Sequence, residues 1–200
     1  MRIGVFGGTF DPLHIGHLVA AQNAKYTARL DRVLFVVANI PWQKEGERPV
    51  TDARLRLAVV AEVMQGLEGF EASDIEIRRG GRSYTVDTLR ELRERYPHDE
   101  LYLIVGADAA SQMETWERAE ELPSLAQLVV VNRYGYPTPR ILSGFESPIF
   151  AEMPWLDISS TDLRERVRDD RPLQFLLPEE AIWAIRRYGL YRENGAPPLR

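Results

Sequence analysis

The sequence predicts an α/β fold built on a parallel β-sheet with helices on both faces. Short, continuous apolar runs alternate along the chain with longer segments of helical periodicity, which is typical of this class. The runs are apolar at nearly every position, as in strands that are buried on both faces. Strands joined in this order through helices form right-handed crossovers.

Six segments are predicted as strands. Four continuous apolar runs predict the buried strands: Ile3–Phe6, Val33–Ala38, Leu101–Val105 and Leu128–Val131. Two further strands are expected at Glu71–Ile77, where Ile75 and Ile77 would share one face, and at Ile149–Met153.

Three segments between these runs predict helices: Leu18–Ala28, Asp52–Met64 and Thr85–Tyr96. Thr51 is the expected N-cap of the second helix, because its hydroxyl can accept a hydrogen bond from a free N–H group of the first turn. The third helix should end before Pro97, which cannot continue it.

The last quarter of the chain differs in character and predicts helices alone. Ser160–Arg168 and Pro178–Tyr188 have helical periodicity, Gly189 suits the end of the second helix, and Asn194–Arg200 reads as a frayed tail. We therefore expect a core over residues 1–157 and a small C-terminal helical subdomain over residues 158–200, packed together as one structural unit.

Composition excludes several classes of protein. The chain has 200 residues, which suits one domain with a small appendage, and a net charge of −5, which argues against nucleic-acid or anionic-membrane partners. It has no cysteine, and this excludes disulfides, thiolate metal sites and cysteine nucleophiles. The apolar runs are too short to span a bilayer, and the N-terminus begins as a strand rather than a signal peptide. We expect a cytoplasmic enzyme.

The turn after the first predicted strand carries the first chemical motif, Gly7–His17. Its paired glycines allow a ligand to approach the backbone closely, and the following helix start attracts anions. His14 and His17 are one helical turn apart, and their imidazoles can donate hydrogen bonds to phosphate oxygens. Two such histidines could also ligate a metal, but no third ligand is apparent nearby, and Asp11 is the one carboxylate in the turn. The motif therefore predicts an anion site at a carboxyl strand end.

The second motif is Ile158–Arg164, with small hydroxyl residues at a predicted helix start. Hydroxyl groups and first-turn N–H groups together form an anion site, and Arg164 lies one turn further along with a forked cation. Taken alone, the Ser-Ser-Thr sequence is better explained as a helix cap.

The two motifs resemble the His-x-Gly-His and Ile-Ser-Ser-Thr signatures of a nucleotidyltransferase superfamily. Over essentially the whole chain, the sequence is similar to bacterial nicotinate-nucleotide adenylyltransferases. Further matching segments are Pro41–Lys44, Gly80–Leu89, Gly106–Ala109, Met113–Trp116 and Val131–Tyr136. The resemblance implies a Rossmann-like parallel sheet with helices on both faces and a small C-terminal helical subdomain.

The resemblance also implies roles for individual residues. The implied catalytic residues are His14, His17 and Arg164. Together with these three, the implied ATP-binding residues are Gly7, Gly8, Thr9, Phe10, Lys44, Gly106, Asp108, Ser159, Ser160 and Thr161. The implied residues for nicotinate mononucleotide are Ser83, Tyr84, Thr85, Trp116 and Arg133. Mg²⁺ is expected to accompany ATP, held mainly by phosphates and water and not by a protein metal site.

The implied reaction is adenylyl transfer from ATP to nicotinate mononucleotide, which gives deamido-NAD and pyrophosphate in NAD biosynthesis. A phosphopantetheine adenylyltransferase-like enzyme would share the first motif, as would a fragment of a class I aminoacyl-tRNA synthetase. A regulatory module that binds nucleotides without catalysis is a further alternative. Both substrates are nucleotides, and a homo-oligomer is compatible with the sequence.

Overall fold

The central feature of the computed structural model is a six-stranded parallel sheet; the structure describes residues 1–41, 49–133 and 137–192. Its strand order is β3-β2-β1-β4-β5-β6, the arrangement of Rossmann-like folds. The strands are β1 Arg2–Gly8, β2 Arg32–Val37, β3 Phe70–Ser73, β4 Glu100–Gly106, β5 Gln127–Arg133 and β6 Ile149–Met153. The predicted fold class is confirmed.

The helices fill the connections between strands and the C-terminal region. They are α1 Ile15–Thr27, α2 Ala53–Met64, α3 Ile75–Arg79, α4 Thr85–Arg95, α5 Ala107–Ser111, α6 Leu122–Leu125, α7 Ser160–Arg168 and α8 Glu179–Arg187. Two short 3₁₀ turns, Met113–Thr115 and Ala119–Glu121, follow α5. No helix in the described ranges is both long and apolar enough to cross a bilayer.

The continuous apolar runs are explained by two apolar layers, one on each face of the sheet. Val5 of β1 and Leu34 of β2 belong to the layer that includes α4, whereas Phe6 and Phe35 belong to the layer that includes α1 and α2. Successive side chains of a strand point to opposite faces, so both sets of positions must be apolar when both faces are covered.

The predicted strand Glu71–Ile77 is wrong beyond Ser73. β3 ends there, and Ile75 begins the short helix α3. Ile75 is fully buried, and Glu76 beside it is also buried and accepts a hydrogen bond from Thr88 Oγ1 at 2.6 Å. An alternating strand would have sent this carboxylate to the face opposite the isoleucines. A partner twelve residues away stabilises the helical turn instead.

The predicted N-cap of α2 is wrong by one residue. Asp52 caps the helix, and its carboxylate accepts from the N–H groups of Arg54 at 2.9 Å and Leu55 at 3.4 Å. Thr51 is drawn into tertiary contacts: its carbonyl accepts from Arg56 Nε at 2.7 Å, and its hydroxyl hydrogen-bonds to Tyr191. A carboxylate also suits the positive helix end better than a neutral hydroxyl.

Helices α7 and α8 pack against the sheet core. Leu163 of α7 and Ile185 of α8 lie in the same apolar layer as α1 and α2. Gly189 follows the C-cap residue Tyr188 of α8 and has a left-handed backbone with φ 61°, as expected for a glycine that ends a helix. The domain division at residue 158 stays a prediction, and residues 193–200, which contain the predicted tail, lie outside the described residues.

Candidate active site

Two clefts adjoin at the carboxyl edge of the sheet. Phe6 of β1 and Gly106 of β4 line both clefts. β1 and β4 are neighbours at the point where the strand order reverses, which is where open α/β sheets bind ligands. One cleft borders the start of α4 and is called the α4 cleft; the other borders the start of α1 and is called the histidine cleft.

The histidine cleft brings together residues from four parts of the chain. Four of the predicted ATP-binding residues line it: His14, His17, Gly106 and Asp108. Asn132 at the end of β5 and Ile158 before α7 complete the wall on the other side. Asp108 is exposed near the start of α5, so its carboxylate is accessible to a ligand in this cleft.

The two histidines are held together at the start of α1. His14 is the N-cap residue, and the ring centroids of His14 and His17 are 3.8 Å apart. The backbone N–H of His14 donates to His17 Nδ1 at 3.2 Å. Because Nδ1 accepts, the neutral His17 ring carries its proton on Nε2, which can then donate to a phosphate oxygen. The Phe10 ring packs edge-on against His17 at 5.1 Å and fixes its plane.

Gly16 between the histidines is explained by the His14 ring. A Cβ atom at Gly16 would lie 3.1 Å from two atoms of that ring. Any side chain would therefore crowd the imidazole at the point where the helix begins. Packing against the His14 ring therefore favours glycine at this position of the His-x-Gly-His motif.

His14 is a neutral imidazole at pH 7. Its side chain is 7% exposed, and burial lowers its pKa from the ordinary value of 6.5 to about 4, because the charged form loses solvation. His14 can therefore donate one hydrogen bond, as a neutral ring, to a ligand oxygen.

We expect the free energy of unfolding to fall as the pH is lowered from 6.5 to about 4. Within this window the unfolded chain binds a proton at His14 that the folded chain excludes, so acid favours unfolding. The full loss is about 3 kcal/mol, at 1.4 kcal/mol for each unit of pKa. Urea unfolding at pH 7 and at about pH 4.5 measures this loss, which should be much smaller for His14→Gln.

The control for this prediction is His98→Gln, since His98 is exposed after α4. That variant should have the same pH dependence of unfolding as the native chain. If His14→Gln also matched the native chain, the acid sensitivity would have to come from other groups.

The second motif docks on the β1–α1 loop, residues 9–14. Ser160 Oγ donates to the carbonyl of Pro12 at 3.0 Å, and Arg164 Nη1 donates to the carbonyl of Asp11 at 2.8 Å. Arg164 Nη2 donates to Thr161 Oγ1 at 3.0 Å. The two motifs are about 150 residues apart in sequence, and these hydrogen bonds join them beside the histidines.

Ser159 caps α7, and its hydroxyl accepts from the N–H of Asp162 at 3.1 Å. Ser159 and Thr161 are exposed at the helix start, whereas Ser160 is half-buried against Pro12. The motif is thus a helix cap and also the link to the β1–α1 loop. The cap interpretation of its sequence is confirmed, and the anion site stays a prediction.

The α4 cleft contains most of the residues predicted for the mononucleotide. Ser83, Tyr84, Thr85 and Trp116 line it. The Ser83 hydroxyl accepts from the N–H of Asn39 at 2.8 Å, which ties this wall to the end of β2. Trp116 is half-buried, and its Nε1 is buried without a hydrogen-bond partner in the described parts of the chain.

Eight predicted ATP-binding residues of the described chain do not line the histidine cleft. Four of them belong to α7 or its cap and line neither cleft: Ser159, Ser160, Thr161 and Arg164. Gly7, Gly8 and Thr9 line the α4 cleft, on the side where β1 ends. Phe10 lines neither cleft: its side chain is buried in the core, where it supports His17.

Two predicted residues cannot be placed as side chains. Lys44 lies outside the described residues. Arg133 ends β5, and only its backbone is described.

The sequence interpretation missed two buried charged residues beside the site. Glu76 lines the α4 cleft, and burial raises the pKa of its carboxyl group. Arg56 is 1% exposed, and its guanidinium donates to the carbonyls of Thr9 at 2.7 Å and Asn39 at 3.2 Å. No local signal distinguishes them: the exposed Arg54 stands in the same alternating pattern as Arg56, and Glu76 lies in a segment with several other charged residues.

Comparisons with known proteins agree with this geometry. The cytidylyltransferase-like family model matches residues 5–166. Relatives named "Probable nicotinate-nucleotide adenylyltransferase" include one from Corynebacterium kroppenstedtii, 44% identical, with 97% of this chain and 92% of the relative covered. Another, from Thermus thermophilus, is also 44% identical, with 96% of this chain and all of the relative covered.

Two solved structures of Plasmodium falciparum nicotinic acid mononucleotide adenylyltransferase share the fold. The complex with NaAD has a TM-score of 0.77 at 19% identity and covers 95% of this chain and 97% of that one. The complex with APC has a TM-score of 0.75 at 18% identity and covers 95% of this chain and 96% of that one. From the identity and coverage of its relatives, the chain belongs to the nicotinate-nucleotide adenylyltransferase family, within the cytidylyltransferase-like proteins.

Proposed function

We propose that this protein transfers the adenylyl group of ATP to nicotinate mononucleotide, giving deamido-NAD and pyrophosphate. The observation that carries the proposal is that two clefts adjoin at Phe6 and Gly106, beside the paired histidines. A nucleotide in each cleft would bring its phosphate to the shared edge. The membership of the family supports the same reaction in NAD biosynthesis.

In this proposal ATP occupies the histidine cleft and the mononucleotide occupies the α4 cleft. The α4 cleft supplies Trp116, an aromatic surface on which a pyridine ring can stack, together with the first-turn N–H groups of α4. Donors at a positive helix end suit the nicotinate carboxylate, which only accepts hydrogen bonds.

The proposed chemistry is an in-line displacement at the α-phosphorus of ATP. A phosphate oxygen of nicotinate mononucleotide forms the new bond, the bond from the α-phosphorus to its bridging oxygen breaks, and pyrophosphate leaves with that electron pair. No covalent enzyme intermediate is needed, so catalysis consists of positioning and charge stabilisation. His14 and His17 would donate to oxygens of the transferring phosphate.

The β- and γ-phosphates would lie toward α7. Arg164 and Thr161 supply a cation and a hydroxyl there, and Lys44 stays a predicted contact. Mg²⁺ would enter with ATP as part of the substrate and neutralise phosphate charge.

The deciding experiment compares kcat/KM for nicotinate and nicotinamide mononucleotides with ATP. The carboxamide nitrogen of nicotinamide mononucleotide would face the N–H donors of the α4 cleft and leave them without an acceptor. Each buried unpaired group costs about 1–3 kcal/mol. Two such mismatches predict a preference for the acid of about 10²–10⁴. Equal kcat/KM values would contradict the donor-lined cleft. If neither mononucleotide were turned over, a regulatory module that binds nucleotides without catalysis would be favoured. If phosphopantetheine were adenylylated instead, a phosphopantetheine adenylyltransferase-like enzyme would be favoured.

Trp116→Ala should raise KM for nicotinate mononucleotide about tenfold or more, and KM for ATP by less than about threefold. The physical reason is that Trp116 lines the α4 cleft and not the histidine cleft. Steady-state kinetics with each substrate varied in turn measures both constants. Trp183→Ala is the control, because Trp183 is exposed on α8. A larger effect on ATP would mean that the two nucleotides occupy the opposite clefts.

A further inference from the structure

Tyr191, near the end of the described chain, reaches back to the β1–α1 loop. It follows α8 with a left-handed backbone, φ 65°. Its hydroxyl donates to Asp11 Oδ1 at 2.9 Å, across 180 residues of sequence. Asp11 is 1% exposed, so this hydrogen bond is made to a buried carboxylate. Hydrogen bonds to charged groups in such surroundings are among the stronger ones in proteins.

The Asp11 carboxylate has no evident place in substrate contact. Asp11 is absent from the residues that line the α4 and histidine clefts. Its backbone carbonyl, however, accepts from Arg164 Nη1 at 2.8 Å, and His14 follows three residues later. The position of Asp11 therefore sets the distance between a predicted phosphate ligand and the two histidines.

The same loop is also held from the side of α2. Arg56 Nη1 donates to the carbonyl of Thr9 at 2.7 Å, and Arg56 Nε donates to the carbonyl of Thr51 at 2.7 Å. The Thr51 hydroxyl in turn hydrogen-bonds to Tyr191. Tyr191 is thus the point where the C-terminal segment, the start of α2 and the β1–α1 loop meet.

We propose that Tyr191 is a positioning residue for adenylyl transfer, whose hydroxyl holds Asp11 and thereby aligns the histidines with Arg164. The inference rests on the function proposed above and adds to it a residue that touches neither nucleotide. It assigns a role in the active site to the residues that follow α8, which contain neither of the two sequence motifs.

The hydroxyl, and not the ring, carries this role. The Tyr191 ring packs against the apolar layer that contains α1 and α2, and a phenylalanine would keep that packing. Tyr191→Phe removes one oxygen and leaves the Asp11 carboxylate without this donor. The loop can then shift to recover a partner, and small misplacements of reacting groups reduce the rate more than they reduce binding.

The experiment compares Tyr191→Phe with Tyr188→Phe, three residues earlier. Tyr188 also donates its hydroxyl to a carboxylate, Glu62 Oε1 at 3.1 Å, but Glu62 lies on α2 and lines neither cleft. Thermal unfolding and steady-state kinetics are measured for both. We expect similar small decreases in Tm, a decrease in kcat of about tenfold for Tyr191→Phe alone, and KM changes below about threefold.

A second comparison tests whether Tyr191 acts through Asp11. In an Asp11→Asn background, Tyr191→Phe should lower kcat by less than about twofold further, because the two changes remove one interaction. A full tenfold further decrease would overturn the inference, as would equal kcat values for the two tyrosine variants. If the native chain made no deamido-NAD, the proposed function itself would be overturned. If the native chain were active and the kcat values of Tyr191→Phe and Tyr188→Phe were equal, only the role of Tyr191 would be overturned.

Discussion

His17→Ala is expected to lower kcat for adenylyl transfer by about 10²–10³, the usual effect of removing one preorganised donor to a transition-state oxygen. His17 is held for this purpose from two sides. Its Nδ1 accepts from the N–H of His14, and its ring packs against Phe10, so Nε2 has a fixed direction. The measurement is a steady-state assay with ATP and nicotinate mononucleotide, with thermal unfolding as the check on folding.

The control for His17→Ala is His98→Ala, which changes an exposed histidine far from both clefts and should keep kcat within about twofold. His17→Ala should lower Tm by only a few degrees, because His17 is partly exposed in the cleft. A folded His17→Ala variant with nearly native kcat would remove the histidine from the mechanism. A variant that fails to fold would be replaced by His17→Leu, which fills more of the space of the ring and has no side-chain donor.

Arg56→Met should lower the free energy of unfolding by about 3–5 kcal/mol, the range measured when one member of a buried charged arrangement is removed. The methionine fills most of the space but leaves three carbonyl groups, of Thr9, Asn39 and Thr51, without their donor. The buried Glu76 also loses the favourable field of the guanidinium. For a chain of this length, Tm should decrease by roughly 10 °C.

Arg54→Met is the matched control, since Arg54 lies on the same helix and is exposed. Its free energy of unfolding should stay within about 0.5 kcal/mol of the native value. Urea unfolding of the two variants measures the difference. If Arg56→Met were as stable as Arg54→Met, the three hydrogen bonds of Arg56 would contribute nothing net to stability.

The strands, helices and motifs whose structure depends on residues adjacent in sequence were predictable from the sequence. A strand covered on both faces must be apolar at successive positions, and this is why Val33–Ala38 predicted β2. His14, Gly16 and His17 lie on one helix start, so their spacing alone implied that the two imidazoles are adjacent. The helix Ser160–Arg168 was also predicted with its observed bounds, because its hydroxyl cap and its apolar spacing are both local.

The errors arose where a distant partner outweighed the local pattern. Ile75 and Ile77 fit a strand face equally well, and the hydrogen bond from Thr88 to the buried Glu76 favours a helical turn. Thr51 has the properties of an N-cap, but Tyr191 and Arg56 bind it instead. Periodicity over a few residues cannot distinguish such alternatives, because their energies differ through contacts made elsewhere.

The sequence by itself determined the class of the sheet, the position of the glycine- and histidine-containing motif at the end of β1 and the family resemblance, all of which depend on residue type and spacing along one segment. Only the tertiary structure decided that Arg164 donates to Asp11, that Tyr191 holds the same loop, and that the two clefts adjoin at Phe6 and Gly106. A buried arginine and an exposed one have the same local sequence signal. Their difference arises when folding removes one of them from water and requires distant carbonyl groups to replace that water.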